Sequence, residues 1–166
     1  MRFRHLAGRY PTGVTVVSTM TGGGPHGTTV NSFTTVSLDP LSVLVCLKRG
    51  GRLLDQLEVT RRFCVSLLGE DQADLARWFA GPGRTRGEDS FAGVPWQPSP
   101  ATGSPVLTGA LGYFDCEVAK IVTEGAHDIV VGRVVDFAPL TDGPPLLFWR
   151  SRLGSADIFR KGADPS

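Results

Sequence analysis

A chain of 166 residues has room for one hydrophobic core and too few residues for two, so one domain over 1–166, with its core at about 3–160, is expected. Hydrophobic residues at 41%, charged residues at 20% and a formal net charge of +1 exclude a disordered chain and the broad basic field of a nucleic-acid binder. Twenty-one glycines and twelve prolines without a Gly-X-Y period point to many turns joining short strands.

In chain order, residues 3–9 read as a short amphipathic helix broken by Tyr10-Pro11-Thr12-Gly13, and Val14-Thr15-Val16-Val17-Ser18 opens a β-branched strand. After the turn Thr21-Gly22-Gly23-Gly24-Pro25 comes a run from His26 to Thr35, rich in Thr and Val but with Asn31 and Ser32 where a core strand carries aliphatics. Leu41-Ser42-Val43-Leu44-Val45-Cys46-Leu47 reads as a strand covered on both faces, ending in Lys48-Arg49-Gly50-Gly51-Arg52. Leu53, Leu54 and Leu57 recur at helical spacing, and Phe63, Val65 and Leu67 then alternate with Arg62, Cys64 and Ser66 as a half-buried strand. A helix from Asp71 to Ala80, with Leu75 and Phe79 on one face, stops at Gly81-Pro82.

From Gly81 to Ser104 the chain is loop-like around an apolar island of Phe91, Val94 and Trp96. Tyr113 to Ile121 places Phe114, Cys116 and Val118 on one face and Asp115 and Glu117 on the other, and strand runs at Ile129 to Phe137 and Pro145 to Trp149 complete the set. Seven strand runs at irregular spacing, with two or three short helices and no βαβ period, predict a mainly β, antiparallel barrel.

Several chemistries fail on spacing. Gly22-Gly23-Gly24-Pro25-His26-Gly27 matches the dinucleotide pattern G-x-G-x-x-G, but it leads into Thr28-Thr29-Val30 and not a helix, so it reads as a hairpin turn. His5, His26 and His127 are scattered without metal-ligand spacing, and neither a nucleophile elbow nor a phosphate-binding Walker loop occurs. Cys46, Cys64 and Cys116 sit in apolar runs and form no CxxC pair, as reduced, buried thiols do. With no apolar run near the roughly 18 residues of a membrane span and no signal-peptide core after Met1, the expectation is a cytoplasmic protein that engages neither membrane nor nucleic acid.

Two features point to a ligand. Lys48, Arg49 and Arg52 flank Gly50-Gly51 between a strand and a helix start, where cationic side chains and free backbone N–H groups suit a phosphate; the bland alternative is a solvated basic turn. Thr28, Thr29, Val30, Asn31 and Ser32 offer hydroxyls, an amide and backbone groups that match the donors and acceptors of a flavin ring and ribityl chain; alone, they also fit a polar edge strand.

The stretch Gly27-Thr28-Thr29-Val30-Asn31-Ser32-Phe33-Thr34-Thr35-Val36-Ser37-Leu38-Asp39-Pro40, followed by Val43-Leu44-Val45-Cys46-Leu47, resembles the signature of the flavin reductase-like, FMN-binding split-barrel family. Gly13-Val14-Thr15-Val16-Val17, Phe91-Ala92-Gly93-Val94, His127, Gly132-Arg133-Val134 and Pro145-Leu146-Leu147-Phe148 extend the resemblance over nearly the whole chain. It implies a Greek-key split β-barrel that binds FMN or FAD, reduces it with NADH or NADPH, works as a homodimer with flavin at the subunit interface, and supplies reduced flavin to a separate monooxygenase.

By the same resemblance, residues 28–32 and Ser37 hold the flavin, Cys46 and Leu47 lie beside the ring and ribityl chain, Lys48 and Arg52 meet the phosphate, and His127 positions the nicotinamide. Three positions depart from the family pattern: Gly125-Ala126-His127 stands for Gly-Asp-His, Ser90 for a basic residue, and Arg150-Ser151-Arg152-Leu153 for Arg-Gly-x-Tyr. The rival expectations are an electron-carrier or binding protein without nicotinamide docking, favoured by Ala126, and an oxidase or oxygenase with tightly bound FMN.

Overall fold

The structure, a computed structural model, describes residues 2–81 and 90–157. Its elements are α1 (Arg2–Ala7), β1 (Thr12–Gly13), β2 (Thr15–Thr21), β3 (Gly24–Val30), β4 (Thr34–Leu38), β5 (Leu41–Lys48), α2 (Arg52–Thr60), β6 (Arg62–Leu67), a 3₁₀ turn (Glu70–Gln72) leading into α3 (Ala73–Ala80), β7 (Trp96–Pro98), β8 (Pro105–Leu107), β9 (Gly112–Glu124), β10 (His127–Pro139), β11 (Leu147–Trp149) and β12 (Arg152–Gly154). Seven strands form one antiparallel sheet in the order β3-β2-β6-β9-β10-β5-β4, with small companion sheets β1-β11-β12 and β7-β8.

The two edge strands, β3 and β4, are consecutive in the chain. The predicted single run from His26 to Thr35 is in fact two strands, because the chain changes partners: Val30 still pairs with Thr15 of β2, whereas Thr34 pairs with Leu44 of β5. Residues 31–33 cross between these partners, and the barrel is split there. The glycine run at 22–24 closes the β2–β3 hairpin, with Gly24 at φ 99°, so the dinucleotide-like pattern is a turn as expected.

The core follows from the strand alternation. Val43, Val45 and Leu47 of β5 bury one face, while Ser42, Leu44 and Cys46 on the other are only half-buried, so β5 is not covered on both faces. β6 departs the other way: Cys64 and Ser66 are as buried as Phe63 and Val65, because β8 and its flanking loop pack over the face expected to meet solvent. α2 lays Leu53, Leu54 and Leu57 against this core and stops at Arg61, whose left-handed backbone lets its N–H donate to the Leu57 carbonyl. Gly132 is where β10 passes over the buried Phe63 ring; an added Cβ would lie 2.9 Å from Phe63 Cε1.

A second cluster joins Val16, Leu68, Phe79, Phe91 and Leu146. The apolar island of the expected loop is thus core, and Trp96 starts β7 instead of lying in coil; residues 82–89 of that loop lie outside the described residues. Asp115, placed by alternation on the solvent face, is fully buried, for the loop after β7 folds over it and supplies the Ala101 and Thr102 N–H groups at 3.1 and 3.0 Å and the Thr102 hydroxyl at 2.5 Å.

Candidate functional site

Where β3 and β5 diverge, a groove of about 580 Å³ opens, lined by residues 28–32, by Cys46, Leu47 and Lys48, and by Glu124, His127 and Ile129. Three remote parts of the chain meet in it. β5 brings its C-terminal end, and the β9–β10 hairpin brings its tip, where His127 pairs with Lys48 on one side and with Glu124 on the other. That tip is a two-residue loop with positive φ at Gly125, and it is closed onto β5 by the Arg49 N–H donating to the Ala126 carbonyl at 3.0 Å. The replacement at Ala126 therefore leaves the turn intact, since its hold on β5 uses backbone alone.

The polar residues of the first wall are already partly committed. Thr29 Oγ1 donates to the Ala76 carbonyl at 2.7 Å and Thr28 Oγ1 to the Phe79 carbonyl at 3.4 Å, the second of these a last-turn carbonyl of α3. Toward a ligand these hydroxyls present lone pairs, suited to accept from N–H or O–H groups. The Ser32 hydroxyl bridges the backbone of Cys46, while Asn31 is exposed at the turn between the two pairings.

The three cations of the basic turn go three ways. Lys48 lines the groove. Arg49 stands 3.9 Å from the largely buried Asp128 carboxylate. Arg52 begins α2 and opens on a different concavity with Asp55 and Arg62. Ser37 is likewise outside this groove, in β4, where its hydroxyl accepts from the Asp39 N–H at 3.1 Å. Of the residues singled out in the sequence, 28–32, 46–48 and His127 are brought together; Ser37 and Arg52 are not. Glu124 and Ile129 complete the lining without having been anticipated, and the signal for both was the pairing of the hairpin flanks.

Cys46 borders the groove, whereas Cys64 and Cys116 are enclosed and all three are free thiols. Burial first, and then the nearby Asp115 carboxylate, pushes the Cys64 and Cys116 thiols up, so both stay protonated and unreactive. Among the described residues no three His, Cys, Asp or Glu side chains stand together as a metal site, and no helix is long and apolar enough to cross a membrane.

The groove fits a flavin nucleotide: acceptor hydroxyls and an amide on one wall, apolar Leu47 and Ile129 for a ring face, and an ammonium for a phosphate. Comparison with known proteins agrees. The family model described as "Flavin reductase like domain" matches residues 7–157. The chain is 37% identical over 151 residues to the reductase subunit HsaB of a flavin-dependent monooxygenase from Rhodococcus jostii, covering 91% of this chain and 75% of that one. It is 36% identical over 161 residues to an NADPH-flavin oxidoreductase from Streptomyces viridifaciens, covering 95% and 82%. The solved NADH:FAD oxidoreductase SgcE6 of Streptomyces globisporus superposes with a TM-score of 0.86 at 33% identity, covering 92% and 90%.

Proposed function

This chain belongs to the flavin reductase like family, and from that premise we propose how its groove performs the family's reaction. The protein is an NAD(P)H:flavin oxidoreductase of the split-barrel fold. The observation that carries the assignment of its site is the meeting of residues 28–32, Lys48 and His127 in one groove.

Flavin, when bound, would supply the redox chemistry of hydride transfer from reduced nicotinamide. The chain's own residues bind and orient. Lys48 sets an ammonium against the flavin phosphate, with the advantage of a charge-assisted hydrogen bond. Residues 28–32 meet the ring and ribityl hydroxyls through backbone groups and threonine lone pairs, and Cys46 and Leu47 pack beside them. His127, at the tip of a hairpin whose strands are 13 residues each, positions the nicotinamide by hydrogen bonding or stacking. No protein acid or base is needed, and among the described residues Glu124 is the one carboxylate in the groove's lining.

A monooxygenase is the recipient of the reduced flavin in this reading, which the reductase-subunit relatives support. A second copy of this chain is the partner for the free sheet edge: Leu38 and Leu41, cross-strand partners, are 87% and 39% exposed, and Phe137, where β10 runs on past its last β5 pair, is 55% exposed. The test is oxidation of NADH and of NADPH by purified protein with FMN and with FAD, followed at the nicotinamide absorbance, alongside light scattering for mass. Turnover with at least one pair is expected; no turnover with any of the four removes the reading.

A further inference from the structure

The groove sets one ammonium, Lys48, against one carboxylate, Glu124. That is thin provision for ligands carrying a diphosphate bridge. A separate concavity of about 490 Å³ has what the groove lacks: its lining is Arg4, His5, Gly8, Arg9, Arg150 and Ser151, and it shares no residue with the groove.

The concavity is built by two segments locked together. The Arg150 N–H donates to the Gly8 carbonyl at 2.9 Å, and Trp149 Nε1 donates to the Arg9 carbonyl at 3.0 Å. Gly8 permits the approach, since a Cβ there would sit 3.3 Å from the Arg4 carbonyl and 3.8 Å from Arg150 Cα. Arg150 is also held from its own side. Its guanidinium lies 4.4 Å from the Trp149 ring centroid, and it occupies the first position of a two-residue turn between β11 and β12 in which Arg150 (φ 49°) and Ser151 (φ 63°) are both left-handed. Such a turn normally takes Asn or Gly, so Arg150 and Ser151 hold a backbone unfavourable to their side chains where they line the concavity.

Among the described residues no acid lines the concavity, and the ion pairs among them involve other side chains than Arg4, Arg9 and Arg150. In a chain of net charge +1, three guanidiniums around one hollow are a local excess of positive charge. Their planar forks match phosphate oxygens two at a time.

We propose that this concavity between α1 and the β11–β12 turn is a second anion site that binds the phosphate groups of a nucleotide, apart from the flavin groove. Its assignment to a dinucleotide of the reductase reaction rests on the function proposed above; the phosphate chemistry does not. Two sources present that chemistry, the diphosphate bridge of FAD or NAD(P)H and the 2′-phosphate of NADPH.

Calorimetric titration of the full chain with pyrophosphate, ADP, 2′,5′-ADP and adenosine, with and without saturating FMN, tests it. Pyrophosphate and ADP are expected to bind whether or not FMN is present, adenosine to give no heat, and the affinity to fall as KCl is raised. Arg150→Gln and the exposed-helix variant Arg4→Gln should each weaken ADP binding about tenfold while leaving the FMN titration unchanged. Tighter binding of 2′,5′-ADP than of ADP supports the site and assigns it to the 2′-phosphate; tighter binding of ADP than of 2′,5′-ADP supports it and assigns it to the diphosphate. Loss of ADP binding when FMN saturates the protein, or wild-type ADP affinity in both variants, overturns the proposal. Should FMN itself fail to bind, the groove reading falls, and the pyrophosphate titration still decides this site.

Discussion

Ser32 and Cys46 are joined twice: the Cys46 N–H donates to Ser32 Oγ at 3.0 Å, and that hydroxyl donates to the Cys46 carbonyl at 3.1 Å. The hydroxyl stands in for a backbone pair, since the β4–β5 register that places Thr34 opposite Leu44 puts Ser32 opposite Cys46. One side chain thereby fastens the crossing between β3 and β4 to the strand that forms the other wall of the groove. Ser32→Ala leaves both Cys46 backbone groups without that partner, a loss of about 1 kcal/mol, which in a chain of this size lowers Tm by about 2–4 °C. A matching loss of FMN affinity should accompany it. Calorimetry and flavin fluorescence together decide: if melting and FMN binding both match the wild type, Ser32 does not set the groove's width.

Lys48 and Arg52 separate two readings of the basic turn. Lys48 alone of the pair lines the groove, so Lys48→Ala is expected to weaken FMN about ten- to a hundredfold, the worth of one charge-assisted hydrogen bond. Arg52 is exposed beside Asp55 and Arg62, and Arg52→Ala should change FMN affinity less than about threefold, as for an ordinary surface charge. Equal losses in both variants would show that phosphate reaches the start of α2.

The His127 backbone is held by strand pairing on both sides, to Lys48 and to Glu124, which sets its side chain at the groove. His127→Ala should raise the nicotinamide KM about tenfold, the worth of one lost hydrogen bond or stack, and leave FMN affinity alone. Stopped-flow reduction across a range of NADH and NADPH concentrations reads this directly, and rates equal to wild type at every concentration would remove His127 from the site.

Local pattern carried much of this fold and stopped at particular residues. The leucines of α2, the strand at β5 and the glycine turn before β3 were legible because spacing along the chain alone determines them. The polar composition at 28–32 and the resemblance to a known family together pointed to the residues that the groove unites. Asp115 and Ser66 depart from the expected solvent face because alternation describes one strand, and their burial is decided by the remote segment 101–107 that folds over both. Glu124 lies beyond the strand read over Tyr113 to Ile121, and only the longer hairpin sets it across from His127. Lys48, Arg49 and Arg52 look like one cluster in sequence, yet the end of β5 and the start of α2 turn them to three surroundings.

Tyr113 and the two buried thiols near β9 are expected to lower stability at alkaline pH. Tyr113 donates its hydroxyl to Asp136 at 2.5 Å, and burial, then that carboxylate, lifts its pKa from 10.0 to about 12. Cys64 and Cys116 are raised from 9.0 by burial and by Asp115. In each case the folded state holds its proton more tightly than the unfolded chain, so the stabilisation is complete below the unfolded value and is lost as pH rises toward the folded one. Tm is therefore expected to be flat up to about pH 9, to fall beyond it as the unfolded thiols ionise, and to fall more steeply between 10 and 12 as unfolded tyrosine ionises. Tyr113→Phe should be less stable than wild type at neutral pH, by about 1 kcal/mol for the lost hydrogen bond, and should show a shallower decline between 10 and 12. Thermal melts by circular dichroism over pH 7 to 12 give both slopes; parallel curves for the two proteins would mean that Tyr113 takes no part in the alkaline transition.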